Sequence, residues 1–516
     1  MKNLITLLLF LITIKSIAQV EQQGAVGTKV LYFDNSGLLG MSDEQLTPLT
    51  DSSVGGYSGS LKYIQAFEGI FYQVFYGNKY VYFRKSTDGV TWSSGQIVSD
   101  TLLSGSNAAD PNIFVWRVGS NINVGVTYVD YGLPNPQLKF VLSNDGGDTF
   151  MESIPLSFHA DNDYLNNCGV GGKGDTLLVT WTRRAGDFFN HTWFSQSTDG
   201  GFTWSLMGMA YSSNQFSFIG DAEVDEDGNF YVLIADDQFF RVNLVLRKST
   251  DLGVTWSTGT SQVTNQPSSH TNTNMQLRWF DGTLYTTFTH SETFLDQVNI
   301  SKSTNNGDSW SLPVMIADTN QLHVSAVGGG TQLSAHTAFA ISEVGTIYAV
   351  WADSRERNDS NVDSCQFNVY ISQSIDDGDT WSANVKVNGP SNYARVTNIY
   401  ASVAVKSDGI NDTVLVSWTK LRDVNNTNTS LQKENVFENT ILYPNPTSGE
   451  ITIAKSLILD NALFTLYNMQ GQKVWQQKNN FSGTDVILDL SKQENGVYFL
   501  EISNNKNIAR KKIIKQ

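Results

Sequence analysis

An acidic turn that carries glycine and closes on an aromatic residue is written six times in this chain. The copies are KSTDGVTWS (85–93), LSNDGGDTF (142–150), QSTDGGFTWS (196–205), KSTDLGVTWS (248–257), KSTNNGDSWS (302–311) and QSIDDGDTWS (373–382). The first five opening serines, Ser86, Ser143, Ser197, Ser249 and Ser303, stand 57, 54, 52 and 54 residues apart. A near-constant period of that size marks a repeat architecture. A second column repeats with it: FYQVFYG, NVGVTYVD, LLVTWTR, FYVLIAD, LYTTFTH, IYAVWAD and VLVSWTK share one alternating pattern. Phe75, Tyr128, Trp181, Ile234, Phe288, Trp351 and Trp418 stand in register within them. Period-two alternation between turn residues is the strand signal, and no window holds helical spacing for long.

Each repeat thus reads as a first strand, a turn, a second strand, a loop, a third strand, the acidic turn and a short fourth strand. Four strands per unit, repeated radially, make a β-propeller blade. The expected fold is all-β: a propeller of seven blades, with six as the alternative, followed by a small immunoglobulin-like β-sandwich. Seven is expected because residues 399–422 supply only first and second strands, while 28–42 supply the missing outer pair. Joining the chain ends in one blade closes the ring and removes exposed sheet edges.

Inside the repeated turn, glycine supplies a positive φ, while Ser and Asp side chains bond the turn's own backbone. The aromatic residue then packs between neighbouring sheets. Asp88, Asp145, Asp199, Asp251, Asn305 and Asp376 are accordingly read as structural. Six catalytic carboxylates in six equivalent turns would make no mechanistic sense, and Asn305 in the acid's place fits a fastener.

These turns resemble the Asp-box, or bacterial neuraminidase repeat, of the sialidase-like propellers, over roughly residues 28–422. The resemblance implies that the ligand site lies over the central channel, on the face opposite the acidic turns. That face receives the ends of the second strands, with Gly77, Asp130, Arg183, Asp236, His290, Asp353 and Lys420 two residues past the aligned column. Their neighbours include Arg184, Asp237, Glu292, Arg355, Arg357 and Arg422, and the loops between blades add Asp110, Asp161, Asp163, Tyr164, His270, Tyr393 and Arg395. Arginine forks there suit a carboxylate. The same Asp and Arg residues can instead pair with one another or cap loops.

The resemblance leaves activity open, because Asp-box propellers include sialidases, other glycoside hydrolases and proteins without known catalysis. A sialidase needs three arginines on the substrate carboxylate, an acid/base Asp and a Tyr nucleophile activated by Glu. The family's first arginine stands in an Arg-Ile-Pro-like motif on the first blade, where this chain has SLKYIQAFEG. Arg183, Arg355 and Arg395 occupy the rim outside any family motif, and no Tyr–Glu pair can be assigned from sequence. The expected function is therefore binding of a glycan or other extracellular ligand at the rim. The alternative is a secreted glycoside hydrolase: exo-α-sialidase as the named case, or a different hydrolase using two rim carboxylates such as Asp130 with Asp236 or Asp353.

The run DAEVDEDGNF (221–230) offers oxygen ligands at alternating positions, as calcium sites do, yet it falls at an expected strand-one-to-strand-two turn. Turn chemistry is the preferred reading, and no metal or cofactor is expected. Six scattered His and two Cys make a zinc site unconvincing. Cys168 reads as a small apolar residue of a first strand, and its pairing with Cys365 stays open. The net charge of −16 argues against a nucleic-acid partner.

Residues 1–18 have the lysine, apolar run and small residues of a secretory signal peptide, and no later segment is apolar enough to span a bilayer. The propeller is assigned to 24–425 and an Asn/Thr-rich linker to 426–439. Residues 440–516 lack the acidic turn and carry Tyr443-Pro444-Asn445-Pro446, Leu466-Tyr467-Asn468 with Gly471, Asn495-Gly496-Val497-Tyr498 and a basic Lys511-Lys512 end. This segment resembles the type A sorting domain of the type IX secretion pathway of Bacteroidota. The resemblance implies signal-peptide export, recognition by the type IX machinery, and a destination outside the cell or on its outer surface.

Overall fold

The computed structural model describes residues 22–516 except 49–61, 101–107, 133–135, 159–164, 185–188, 213–216, 238–241, 258–260, 265–269, 293–294, 326–331, 334–335, 357–366, 390–395, 424–441, 444–446, 454–462, 469–471, 479–485, 504–507 and the positions 78, 320 and 323. The expected signal peptide and linker lie outside the described residues. The chain divides into two units, 1–390 with 395–427, and 391–394 with 428–516.

Strands account for all the regular structure described in the first unit. They form antiparallel meanders, such as Ile64–Phe67, Ile70–Gly77, Tyr80–Ser86 and Gln96–Ile97 in order. The first strands of the successive meanders are Ile64–Phe67, Ala108–Val118, Leu165–Lys173, Ser217–Val224, His270–Phe280, Thr337–Ile341 and Val396–Ser407. Each packs against the next, and the last returns to Ile64–Phe67. A ring of sheets closed through their inner strands is a β-propeller. The meanders beginning at Ser217 and His270 also share one parallel pairing, Val242 with Thr271.

The ring closes by joining the two ends of its own chain. Gln22–Asp34 pairs antiparallel with Asp412–Asp423 from Gln22↔Asp423 to Phe33↔Asp412, with Gly37–Met41 outside it. Phe33 packs on Tyr348 of the preceding sheet at 5.0 Å, and Gln373 Nε2 donates to the Asp34 carbonyl at 3.0 Å.

Burial explains the aligned aromatic column. Tyr128, Trp181, Ile234, Phe288, Trp351 and Trp418 are all fully buried between sheets, each on a second strand. Burying side chains of that size supplies on the order of 2–3 kcal/mol each.

The acidic turns share one hydrogen-bond scheme. In the fourth, Ser249 Oγ donates to Asp251 Oδ1 at 2.8 Å and accepts from Gly253 N at 2.8 Å. Asp251 also accepts from Thr255 N at 2.8 Å and from Thr255 Oγ1. The fifth turn keeps the geometry with polarity reversed, Asn305 Nδ2 donating to Ser309 Oγ at 2.9 Å. Where the acid is retained it stays charged: in the first turn the Thr91 amide holds the Asp88 carboxyl down to about 2. That contribution is present above the ordinary value of 3.8 and fades as pH falls through about 2.

In each acidic turn one glycine sits against the third strand of the preceding sheet. Gly89 faces Val30, Gly147 faces Phe83, Gly201 faces Phe140, Gly253 faces Phe194, Gly307 faces Leu246 and Gly378 faces Ile300. The following aromatic takes the same seat edge-on: Phe150 on Phe83 at 4.9 Å, Trp204 on Phe140 at 4.8 Å and Trp256 on Phe194 at 5.2 Å. The turns therefore bind sheet to sheet.

In the C-terminal unit, a three-stranded sheet (Leu442–Tyr443, Glu450–Ile453, Val486–Asp489) and a four-stranded sheet (Lys473–Lys478, Leu463–Tyr467, Gly496–Ser503, Ile508–Lys515) share one core. Ile451 and Leu488 meet Phe464, Leu500, Ile502 and Ile513 there. The final strand ties down the domain's start, since Thr447 N donates to the Ile514 carbonyl at 2.9 Å and Gln516 N returns the bond to Thr447.

Gly253 has φ +82, and a Cβ there would fall 2.5 Å from the Phe194 ring, whereas Gly228 has φ +80 and nothing within 4 Å. Gly253→Ala is expected to cost about 2–4 kcal/mol in urea unfolding, from strain plus overpacking. Gly228→Ala, with strain alone, should cost about 1–2 kcal/mol.

Candidate functional site

The acidic turns lie on the same face as the first-to-second-strand turns. Gly200 N, for example, donates to the Asp175 carbonyl at 2.9 Å. The ends of the second strands therefore form the opposite rim. Arg395, Arg357, Tyr393, Asp161, Asp163 and Tyr164 lie outside the described residues, as do the side chains of Arg184, Asp237, His270, Arg422 and Cys168.

Several of the remaining rim candidates tie sheets together, while His290 and Arg183 contact partners in their own sheets. Asp130 is buried, with its carboxylate 2.8 Å from Lys139 Nζ and accepting from Gly132 N at 3.0 Å. Lys139 also reaches Asp100 of the preceding sheet at 2.7 Å. Asp353 is fully buried and accepts from Trp351 Nε1 at 2.9 Å and Arg355 Nε at 2.8 Å. Arg355 continues to Asp318 at 2.6 Å and Asn384 at 2.9 Å and lies 4.3 Å over the Tyr370 ring. Lys420 meets Glu44 at 3.1 Å, and Glu44 accepts from Gly389 N at 2.8 Å. His290 is buried with Nδ1 3.0 Å from Asn272 Oδ1. Arg183 stacks over Trp193 at 5.2 Å. Buried Asp236 stands beside Tyr211, whose phenol is pushed up to about 12, by burial first and then by that carboxylate.

A Tyr–Glu pair does exist, though sequence spacing gave no sign of it. Tyr370 OH donates to Glu356 Oε1 at 2.6 Å, and Lys386 bonds the other oxygen. Tyr370 belongs to the third strand Asn368–Ser374, two strands out from the channel. Burial, then Glu356, raises its phenol, which keeps the proton on the oxygen and makes it a poor nucleophile.

Two arrangements go beyond the sequence pattern, which marked Asp110 only as one acid of the loops between blades. The first is Asp110, at a bulge near the start of the inner strand Ala108–Val118. Its φ is +54, a strained value for a non-glycine residue. The carboxyl is buried, one oxygen accepts from Tyr131 OH at 2.8 Å, and Oδ1 has no hydrogen-bond partner among the described residues. Burial raises this carboxyl to about 6 against the pull of Tyr131, itself an exposed side chain. Asn274 and Tyr400 hold the same positive φ at equivalent bulges. Bulges gather beside functional sites because they re-aim a side chain.

The second is an ionic cluster inside the ring. Lys62, in the SLKYIQAFEG stretch, reaches Asp221 at 2.8 Å, Glu223 at 3.2 Å and the Val170 carbonyl at 2.7 Å. Arg278 Nη1 meets Asp221 at 3.0 Å and Glu223 at 3.5 Å. Asp221 is fully buried and also accepts from Leu277 N and Ala222 N. Asp221 and Glu223 belong to the strand Ser217–Val224, while the turn expected over 221–230 occupies only its later part. There Asp225 accepts from Asp227 N and Asn229 N. Among the described residues no three His, Cys, Asp or Glu side chains gather as a metal site, and no helix is long and apolar enough to cross a membrane.

Residues 441–516 match the family described as the secretion system C-terminal sorting domain. This tail is a type IX sorting domain and marks the chain for export, to the medium or the outer cell surface. No curated protein matches the chain. Among solved structures, a family PL25 polysaccharide lyase, an ulvan lyase bound to -[GlcA(1-4)Rha3S]-, is similar at 13% identity over 71% of this chain and 93% of its own, with TM-score 0.45. A Trypanosoma rangeli sialidase in complex with the inhibitor DANA gives 9% identity, 78% and 83% coverage and TM-score 0.38. A Penicillium chrysogenum α-L-arabinanase with arabinobiose gives 14%, 58% and 91%, and 0.37.

Both clusters bear on stability. Asp221→Asn removes the buried anion between Lys62 and the half-buried Arg278 and should cost about 3–5 kcal/mol in chemical denaturation. Asp110 works in the other direction: its raised pKa means the folded state holds the proton more tightly. Its stability penalty is absent well below the ordinary 3.8, grows as pH rises, and is complete above about 6. Asp110→Asn should therefore raise Tm at pH 7.5 and leave it nearly unchanged at pH 3.5, as read by calorimetry.

Proposed function

We propose that the protein is an exported seven-bladed propeller of residues 24–425 that holds a glycan or another extracellular ligand at its channel rim without chemical turnover. On this reading a leader of residues 1–18 is cleaved, and a linker, 426–439, separates the propeller from a sorting domain over 440–516. The observation that carries it is the state of Asp130 and Asp353. Both are buried and ion-paired, to Lys139 and Arg355. A two-carboxylate glycosidase needs carboxyl groups about 5–9.5 Å apart that face a substrate, one able to give up or take a proton, and a sialidase needs at least one such free Asp. Carboxylates already bound to cations inside a sheet interface supply neither. Arg355, with Asp353 and Asp318 as partners, supports a fastening role over a substrate clamp.

A second reading, a secreted glycoside hydrolase with exo-sialidase as the named case, is favoured by Asp110. A strained, buried carboxyl raised to about 6 beside an exposed tyrosine is suited to proton donation near neutral pH. One pair of assays separates the readings: a glycan-binding array, and turnover of fluorogenic sialosides with a panel of aryl glycosides. Saturable binding with no turnover is expected. Turnover that disappears in Asp353→Asn, Arg355→Ala or Asp110→Asn would replace the binding reading with the enzymatic one.

A further inference from the structure

Inside the ring, toward the end of the channel where the inner strands finish, lies a cavity of about 250 Å³. Phe280 and Ile341, the last residues of their strands, are in its wall with Phe114 and Trp279. Lys62, Glu223 and Arg278 supply its charge. This is the acidic-turn end, away from the rim.

The cation contacts are unequal. Lys62 Nζ is surrounded by Asp221, Glu223 and the carbonyls of Val170 and Ala222. Arg278 makes all its hydrogen bonds and ion pairs through Nη1: Asp221, the Leu277 carbonyl and, more distantly, Glu223. Its guanidinium carbon stands 5.6 Å over the Phe339 ring. The Nε–Nη2 edge therefore has no hydrogen-bond partner among the described residues. That edge is the fork whose two parallel N–H bonds match a carboxylate.

We propose that this cavity is a second binding site, in which Arg278 receives a small cyclic monocarboxylate with its ring against Phe114, Trp279 and Phe280. Three features select that class. The fork is planar and bidentate, so it fits two coplanar oxygens. Phe114, Trp279 and Phe280 share the cavity wall with aliphatic side chains such as Ile113 and Val405, so the rest of the molecule is an apolar cyclic body. Glu223 stands close by, so a doubly charged anion such as phosphate meets repulsion that a monoanion largely escapes.

The test uses the full purified chain with benzoate as probe, followed by calorimetry and ligand-observed NMR, with benzamide and inorganic phosphate as comparators. Saturable one-to-one binding of benzoate is expected, about ten-fold or more tighter than either comparator. Arg278→Lys keeps the charge and removes the fork, and should weaken benzoate about ten-fold. Ala340→Phe places a ring in the cavity wall without touching the ionic cluster, and should abolish binding. Either variant suffices, provided an unchanged near-ultraviolet spectrum shows that it folds. Absence of saturable binding, equal binding of benzamide or phosphate, or undiminished binding in the folded variant would overturn the proposal. Glycan binding, scored on the same samples, reports on the rim, so either result can fail alone.

Discussion

The structure depends on a contact repeated around the ring, in which an acidic turn rests on an apolar side chain from the third strand of the sheet before it. Backbone hydrogen bonds of a propeller run almost entirely within each sheet, and hydrophobic contact between sheets is non-directional. The turn supplies direction. Its serine and carboxylate satisfy the local amides, so a tight loop can be pressed against Phe83, Phe140 or Phe194 without leaving backbone groups unbonded. The missing Cβ permits the approach, and the aromatic that follows locks the same side chain from its edge. The fifth turn, where Asn305 donates and Ser309 accepts, indicates that geometry matters more than charge.

Polar groups between sheets follow the same logic. Lys139 spans Asp130 and Asp100, Arg355 spans Asp353 and Asp318, and Glu44 spans Lys420 and Gly389. Each is a charge-assisted tie across a sheet boundary. Buried ion pairs add little net stability compared with good apolar packing, but an unpaired member is strongly unfavourable. Such ties therefore select one register between neighbouring sheets and penalise the others. A rim rich in Asp and Arg is thus largely what a wheel of separate sheets needs to hold its spacing.

The all-β class, the strand columns and the meeting of the chain ends were legible because they rest on local periodicity, which sequence displays directly. Trp181, Trp351 and Trp418 stand in register along the chain and lie buried in equivalent places. The candidate site was less legible. Second-strand position placed Asp130 and Asp353 near the rim, but their partners Lys139 and Arg355 could be identified only once the strands were assembled. Lys62, Asp221 and Arg278 are 159 and 57 residues apart along the chain, and their approach depends on ring closure. The alternation D-A-E-V at 221–224 was an available strand signal, masked by the acidic turn that follows it. Asp110 was visible only as one loop acid among several, since neither its strained φ nor its burial leaves a trace in composition.

The strand Gln22–Asp34 has a further consequence, in time rather than space. Its partner Asp412–Asp423 lies about four hundred residues downstream, so the wheel stays open until nearly all of it has been made. Bringing such distant segments together carries a large chain-entropy penalty and slows the last step of assembly. Until then the strand Asp412–Asp423 and its N-terminal partner both present raw edges, to which another chain could add. The sorting tail lies beyond the latch in sequence. A chain whose tail has been made therefore has every strand required to seal the wheel, and loss of Gln22–Asp34 would leave it permanently ajar.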